Sequence, residues 1–348
     1  MELRDLLLFT IEKQASDLHL TENMPPLIRV NGRIIATEYP KLNREETKKL
    51  IYSVLSNDQK EKFEQELELD LSLSLPGLDR FRMNVHVQRG SIEAAFRRIP
   101  LLIPSIDELS LPKVAVELAR KPNGLVLVTG PTGSGKTTTL AAMVDLINSE
   151  REGIIISIED PIEFLHFNKK SVIKQREVYA DTKSFAGALK HALRQDPNVI
   201  MVGEMRDLET ISTTLTSAET GHLVLATLHT PDAPQTIERI IDVFSPNQQH
   251  QVRLQLADCL QGVISQLLLP RADGKGRILA TEIMVATPAI RNLIREHQIE
   301  QIPTLMQTGS QFGMCTMDKA LKKLYKDGII SLETATSKVK NPEEFRSL

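Results

Sequence analysis

A chain of 348 residues, 41% hydrophobic and 25% charged, has apolar material for more than one core and sits at the globular average, which excludes disordered and fibrous classes. A formal net charge of −3, no Trp and only 4% aromatics leave no overall basic field and no base-stacking platform, so no nucleic-acid partner is expected. Two distant cysteines, Cys259 and Cys315, without a CxxC, exclude a disulfide framework and a zinc site.

The opening MELRDLLLFTIEKQASD carries Glu2 and Asp5 within its apolar run and has no basic leader or cleavage site. No window approaches the roughly 18 apolar residues of a membrane span, so a cytoplasmic protein is expected. Residues 1–99 read as an α+β domain. Its elements are a helix over Leu3 to Lys13, extended segments at SDLHL and PLIRVNGRII with Asn31-Gly32 as a hairpin turn, and two helical stretches from Arg44 to Leu67. The alternating LELDLSLSL, Leu67 to Leu75, predicts a half-buried strand.

RFRMNVHVQRGSIEAAFRRIP then predicts two strands about an Arg89-Gly90 turn. A two-residue loop there pairs residue i with 179 − i, which sets Val87 opposite Ile92, Val85 opposite Ala94 and Met83 opposite Phe96 on one apolar face. The same register puts Arg82 across from Arg97. Like charges so placed repel unless an anion lies between them, or unless His86, Glu93 and solvent dilute the repulsion.

Three prolines between Pro100 and Pro112 break both periodicities and predict a linker over 100–112, with a flexible joint as its consequence. From residue 113 to 348 the apolar runs GLVLVTG, GIIISIED, NVIMVGE and HLVLATLH alternate with helical segments such as Asp181 to Arg194 and Leu208 to Ala218. That alternation predicts an α/β domain whose parallel sheet is covered on both faces. After about residue 245 the pattern reads as mainly helical.

GPTGSGKT, Gly130 to Thr137, fits the phosphate-binding loop in full, follows a strand and opens a helix. Glycines let backbone N–H groups close around phosphates, the helix N-terminus adds positive partial charge, Lys136 reaches the β- and γ-phosphates of ATP, and the Thr137 hydroxyl can ligate Mg²⁺. Thr132, Gly133, Ser134, Gly135 and Thr138 complete the expected nucleotide-binding set. Hydrolysis needs a further group to activate water. NVIMVGEMRD ends a strand in Gly203-Glu204, with glycine where P-loop ATPases usually carry a metal-holding Asp. Glu204 stands either to polarise the attacking water or to support the metal through its water shell. IEDPIEF brings Glu159, Asp160 and Glu163 to the same carboxyl edge of the sheet, where open α/β sheets bind ligands. In TGHLVLATLHT, His222 and His229 bracket a strand roughly 23 Å long and face opposite ways, so they are not a metal pair. His229 lies on the phosphate side; His222 starts the strand and suits a supporting role.

AIRNLIRE, Ala289 to Glu296, reads as a helix with Ile290, Leu293 and Ile294 on one face and Arg291 and Arg295 one turn apart on another. On these residues alone it is a surface helix with a solvated basic face; a resemblance to a known family makes it a coupling element, anchored by the aliphatics, whose Arg291 and Arg295 are expected to meet an acidic surface on a partner or neighbouring domain.

In that order, GPTGSGKTTT, IEDPIEF, VGEMRDLET and TGHLVLATLHT resemble the Walker A, Asp box, Walker B and His box of the secretion ATPases that drive type II secretion and type IV pili. ASDLHL and AIRNLIRE resemble the pilus-retraction branch, and the tetracysteine motif of many assembly-type relatives is absent. The resemblance implies a PAS-like N-terminal domain, a RecA-like P-loop ATPase core and a homohexameric ring. It implies that Glu204 is the catalytic acid, Glu163 its Asp-box partner, His222 and His229 the His box, and that Arg82 and Arg97 approach nucleotide phosphates, in their own subunit or a neighbour's. The implied partners are an inner-membrane pilus platform protein (PilC-like) and a PilU-like accessory ATPase, which would put the motor at the cytoplasmic face of the inner membrane. Rival readings are an assembly or type II secretion ATPase, a PilU-like accessory motor, a RecA-like DNA translocase and a nucleotide-gated scaffold.

Overall fold

The computed structural model describes residues 1–30, 32–73, 79–99 and 102–340. The chain divides into two compact units, Met1–Leu102 and Ile103–Leu348. The first opens with α1 (Leu3–Glu12), whose Leu3, Leu6 and Leu7 are buried, followed by β1 (Asp17–Leu20), β2 (Leu27–Val30) and β3 (Arg33–Ala36). The expected Asn31-Gly32 turn falls partly outside the described residues, because Asn31 is not among them. Helices α2 (Arg44–Tyr52) and α3 (Asn57–Glu66) each begin with a reciprocal capping box, Asn43 with Glu46 and Ser56 with Gln59, which satisfies amides that a helix start leaves orphaned.

Strands β4 (Glu68–Leu73), β5 (Arg80–Gln88) and β6 (Ser91–Ile99) complete an antiparallel sheet of order β3-β2-β1-β6-β5-β4. Ser74 and Leu75, the end of the expected strand, lie outside the described residues. The β5–β6 register is the one the turn implies: Val87 pairs Ile92, Val85 pairs Ala94, Met83 pairs Phe96 and Arg82 pairs Arg97. Met83, Val85, Ala94 and Phe96 are buried in this unit's own core with Leu18, Phe63 and Phe81.

In the second unit α4 (Lys113–Ala119) leads to β7 (Gly124–Thr129), α5 (Lys136–Glu150), β8 (Gly153–Glu159), β9 (Ser171–Glu177) and α6 (Phe185–Ala192). Then come β10 (Val199–Val202), α7 (Leu208–Glu219), β11 (Leu223–Leu228), α8 (Ala233–Asp242) and α9 (Pro246–Cys259). The rest is β12 (Leu260–Pro270), β13 (Arg277–Val285), α10 (Pro288–Arg295), α11 (Ile302–Thr308), α12 (Met317–Lys326) and α13 (Leu332–Thr336).

The sheet order is β13-β12-β7-β11-β10-β8-β9, parallel from β12 through β9 and antiparallel only between β12 and β13. Alternate residues of β7 enter different cores, Leu125 and Leu127 one, Val126 and Val128 the other. That is why the strand is apolar throughout and has no polar face.

Three expectations are refined. The region after 245 is mainly helical but also holds a strand pair that was not expected: β12 and β13 pair over nine positions. LQGVISQLLLP hides its period of two because most of its residues are buried on both faces, with burial running unbroken from Gly262 to Gln266. The helix expected from Asp181 starts only at Phe185, where the Ser184 hydroxyl accepts from the Gly187 amide. The boundary between the two units, Leu102 to Ile103, falls within the predicted linker, whose later part contributes two buried side chains to a core. Pro100 and Leu101 lie outside the described residues, but Ile106 and Leu111 are buried in the second unit's core with Val126 and Val128. Among the described residues no helix is long and apolar enough to cross a membrane.

Candidate nucleotide site

The P-loop connects β7 to α5. Gly130, Gly133 and Gly135 all have φ in the left-handed region, at +139°, +79° and +90°. Gly130 is required twice over, since a Cβ there would also overlap the Gln266 carbonyl oxygen and the Ser134 hydroxyl. α5 begins at Gly135 with no side-chain cap, so its first amides have no side-chain acceptor and the positive end of its dipole opens onto the loop. The Ser134 hydroxyl is buried and has no hydrogen-bond partner among the described residues. Lys136 folds back, donating from Nζ to the Gly130 carbonyl at 2.9 Å and the Pro131 carbonyl at 3.1 Å. Burial pushes the Lys136 ammonium below its ordinary range, against the charges of Glu204 and Glu163, which favour it. An uncapped helix start, an orphaned hydroxyl and a buried cation held by weak carbonyl acceptors together fit a phosphate chain.

Thr137 and Thr138, half-buried, lie in the first turn of α5. The Thr137 hydroxyl is the one protein oxygen the motif offers to Mg²⁺, and phosphate oxygens and waters would supply the rest, as that cation prefers.

Glu204 follows β10 at the same sheet edge. Each of its oxygens has a cationic or polar neighbour: His229 Nε2 lies 3.3 Å from Oε1, and the Arg206 guanidinium lies 2.8 Å from Oε2. The other nitrogen of His229, Nδ1, lies 3.4 Å from the Thr132 hydroxyl. A ring protonated on Nε2 therefore links P-loop to carboxylate, donating to Glu204 and accepting from Thr132. Burial works to raise the Glu204 carboxyl, but the hydrogen bond and charge of Arg206, together with the His229 contact, outweigh it and hold the group below the usual range. The carboxylate is ionised at neutral pH.

Glycine precedes Glu204 for a steric reason. A Cβ at Gly203 would stand 3.2 Å from the Ile158 carbonyl oxygen and 3.3 Å from the Glu159 Cα, so the place where an Asp was sought has little room for a side chain.

Glu163 is exposed in the loop after β8, and its charge reaches Lys136. Glu159, by contrast, is buried and raised above its ordinary range by desolvation, its carboxylate receiving the Ser157 hydroxyl at 2.7 Å and the Gln175 amide at 3.1 Å. It builds the loop that presents Glu163.

His222 does not join this group in its own chain. It stands at the other end of β11, with Nδ1 3.0 Å from the Ser217 carbonyl at the close of α7, and the six strand residues between the histidines span about 20 Å. That is the supporting role, and the catalytic assignment is not met by the geometry of one chain. In the first unit the facing arginines lie near carboxylates the sequence reading did not consider: Arg97 Nε lies 3.0 Å from Asp17 Oδ1, with Arg29 3.6 Å from the other oxygen of that carboxylate, and Arg82 has a looser contact at 3.9 Å with exposed Asp70.

Sequence reasoning also missed Arg206, although it lies two residues past Glu204, and the two polar residues of β12 that brace the loop. Ser265 Oγ lies 2.8 Å from Thr129 Oγ1, and Gln266 Nε2 donates to Thr139 at 2.7 Å. Their signal was present, as polar residues inside an otherwise apolar run.

A parallel sheet with a P-loop after β7 and an ionised carboxylate after β10 defines a P-loop ATPase. The chain belongs to the type II/IV secretion system protein family, which matches residues 105–336, as the motif resemblance indicates. It is 49% identical to the type IV pilus retractation ATPase PilT of Pseudomonas aeruginosa, over 99% of this chain and 100% of that one. The type IV pilus ATPase PilU of the same organism is 40% identical over 99% of this chain and 91% of that one. Among solved structures, the pilus retraction motor PilT with bound ADP superposes with a TM-score of 0.95 at 50% identity, covering all of both chains. The ATPase DotB of Legionella pneumophila superposes at 0.84 with 27% identity, over 97% of this chain and 95% of that one.

Proposed function

We propose that this chain is an ATP-hydrolysing motor that retracts type IV pili as a homohexameric ring. The observation that carries the reading is the end-to-end correspondence with PilT at 49% identity, over 99% of this chain and 100% of that one. In the proposed cycle the P-loop and the α5 N-terminus hold the phosphates, Lys136 turns from the loop carbonyls to the β- and γ-phosphates, and Thr137 holds Mg²⁺. That cation supplies Lewis-acid stabilisation of the developing phosphate charge. Glu204, linked to the loop through His229 and Thr132, orients the attacking water, with Glu163 as its neighbour around Lys136. Arg82 and Arg97 bind phosphate oxygens, so hydrolysis and release remove their anion and convert turnover into movement. The load is an inner-membrane platform protein (PilC-like) at the pilus base, with a PilU-like ATPase as accessory, and the ring works at the cytoplasmic face of the membrane.

Deletion of the gene followed by a count of surface pili tests the reading. Excess immobile pili are expected; a bald cell would mean assembly, and normal retraction would remove the proposal. Glu204→Gln should keep nucleotide binding and lose turnover, and retained turnover would refute the role given to Glu204.

A further inference from the structure

The Glu204 carboxylate is held at both oxygens, and the two holders differ. His229 is itself tied to the P-loop through Thr132, at 3.4 Å. Arg206 is tied to little else: its side chain is 68% exposed, its contact with Glu204 Oε2 is 2.8 Å, and its remaining favourable charge is that of Asp160. A guanidinium on its second oxygen stabilises the ionised carboxylate and crowds that oxygen, which lowers the basicity and the access it needs to draw a proton from water. One arm of the clasp is anchored to the phosphate site, and the other can leave.

We propose that Arg206 is a positioning residue for the ATPase reaction, a latch that holds Glu204 against His229 and must release Oε2 before that carboxylate can engage the attacking water. The proposal rests on the reading of Glu204 as the water-orienting group. Latched, the carboxylate stays ionised and correctly placed yet inactive, which keeps idle hydrolysis low. Released, it retains the His229 contact and presents one unencumbered oxygen. Among the described residues, the charged and titratable groups around Glu204 are Arg206 from its own loop, the His229 ring from beyond β11, Lys136 from α5, and Arg239 of α8, which lines the same cleft of about 230 Å³. Removing Arg206 therefore leaves Lys136, His229 and Arg239 in place and subtracts the strongest hydrogen-bond donor to the carboxylate.

The test is steady-state ATP turnover of the full chain against pH, with Mg²⁺, for wild type, Arg206→Gln, Arg206→Lys, Glu204→Gln and the Arg206→Gln/Glu204→Gln double variant. Arg206→Gln is expected to raise kcat about three-fold or more at neutral pH with KM for ATP unchanged, and to move the acid limb of the kcat profile to higher pH. Arg206→Lys, which keeps a charge but loses the planar fork, should fall between it and wild type. A lower kcat in Arg206→Gln, or an acid limb that does not move, overturns the latch. Residual turnover in Glu204→Gln comparable to wild type would instead fail the underlying reading of Glu204. In the double variant the Arg206 change must have no further effect on the profile, and an effect there would also overturn the proposal. The exposed side chain makes misfolding an unsuitable explanation, and a melting temperature within about 2 °C of wild type verifies that.

Discussion

Arg295 donates to the Asp258 carboxylate at 2.6 Å, and one turn earlier Arg291 donates to the carbonyls of Ala257 and Asp258, the latter at 2.7 Å. Both arginines of AIRNLIRE thus close the C-terminal end of α9, where carbonyls lack intrahelical partners and the dipole favours cations. The aliphatic half of the expectation holds, since Ile290, Leu293 and Ile294 are buried in the second unit's core. For the basic half, the contacts lie within the same domain: Arg295 meets a carboxylate there and Arg291 meets backbone carbonyls.

This changes what mutating them should do. Arg291→Ala strips partners from carbonyls at the α9–β12 junction and should cost about 1–3 kcal/mol, with Arg291 already lowered from its ordinary range by burial. At about 2–4 °C of melting temperature per kcal/mol for a domain of this size, thermal denaturation will see it. Arg295→Ala breaks a more exposed pair and should cost about 0–1 kcal/mol. An unchanged melting temperature in Arg291→Ala would return that arginine to the pool available for a partner.

Gly130→Ala tests the cradle itself. The new methyl meets the Gln266 carbonyl, which β12 holds in register with β7, and the backbone there has φ +139°. Strain and overlap in a packed strand should cost about 2–4 kcal/mol. The outcome to look for is lost binding of a fluorescent ATP analogue at protein concentrations that saturate wild type. Wild-type affinity with wild-type melting would mean the loop is more plastic than its packing indicates.

How much of this was legible beforehand depends on where the determining contacts lie. The P-loop, the β5–β6 register and the strand ends bearing Glu204 and His229 follow from local sequence, because turns, alternation and strand-to-helix junctions are local physics. Arg206 and Gln266 act through tertiary partners, and nothing local distinguishes them from solvated or structural polar residues. β12 was hidden for the same reason in reverse: a strand buried on both faces loses the alternation that would reveal it. Asp17 and Asp70 were unreadable as partners of Arg97 and Arg82 because strand order, not spacing, brings them together.

Glu282 provides a pH dependence with a definite sign. It is buried, accepts from the Ala233 amide at 2.9 Å and the Met317 amide at 3.3 Å, and so joins the N-termini of α8 and α12. Burial raises its carboxyl above the ordinary value of 4.5, with Asp232 adding to the rise and the two amides and Lys340 opposing it. A group whose folded pKa is raised contributes stability that is complete below the unfolded value and is lost as pH climbs through the folded one. Stability attributable to Glu282 should therefore fall as pH rises upward from about 4.5. Glu282→Gln should flatten that slope in urea titrations across pH, although a glutamine can accept from only one of the two amides without presenting its own donor to the other. A slope identical to wild type would rule out Glu282 as its origin.

The two histidines of the His box should separate. His229→Ala removes the link between Thr132 and Glu204 and is expected to lower kcat by about 10²-fold, with KM for ATP little changed. His222→Ala removes a contact to the end of α7 and should appear as about 1 kcal/mol of lost stability, with turnover per folded molecule retained. Equal losses of kcat in folded His222→Ala would show that it serves a site its own chain does not bring it to.

The facing arginines make the last contrast. Arg97 lies against Asp17, which is buried and also receives the Ser16 hydroxyl at 2.7 Å, whereas Arg82 has only a distant contact with exposed Asp70 at 3.9 Å. Asp17 keeps Arg29 at 3.6 Å and the Ser16 hydroxyl when Arg97 is removed, and Asp70 is exposed, so Arg82→Ala and Arg97→Ala should each change stability by less than about 1 kcal/mol. If both guanidiniums bind phosphate oxygens, each should cost turnover about 10-fold or more, the equivalent of one charge-assisted hydrogen bond of roughly 1.5–3 kcal/mol. The loss should be larger at Arg82, whose ion pair with Asp70 is loose at 3.9 Å, than at Arg97, which must first leave Asp17 at 3.0 Å. Unchanged kinetics in both variants would sink the phosphate role. A larger loss at Arg97 would mean that its ion pair with Asp17 orients the guanidinium for phosphate and does not hold it back.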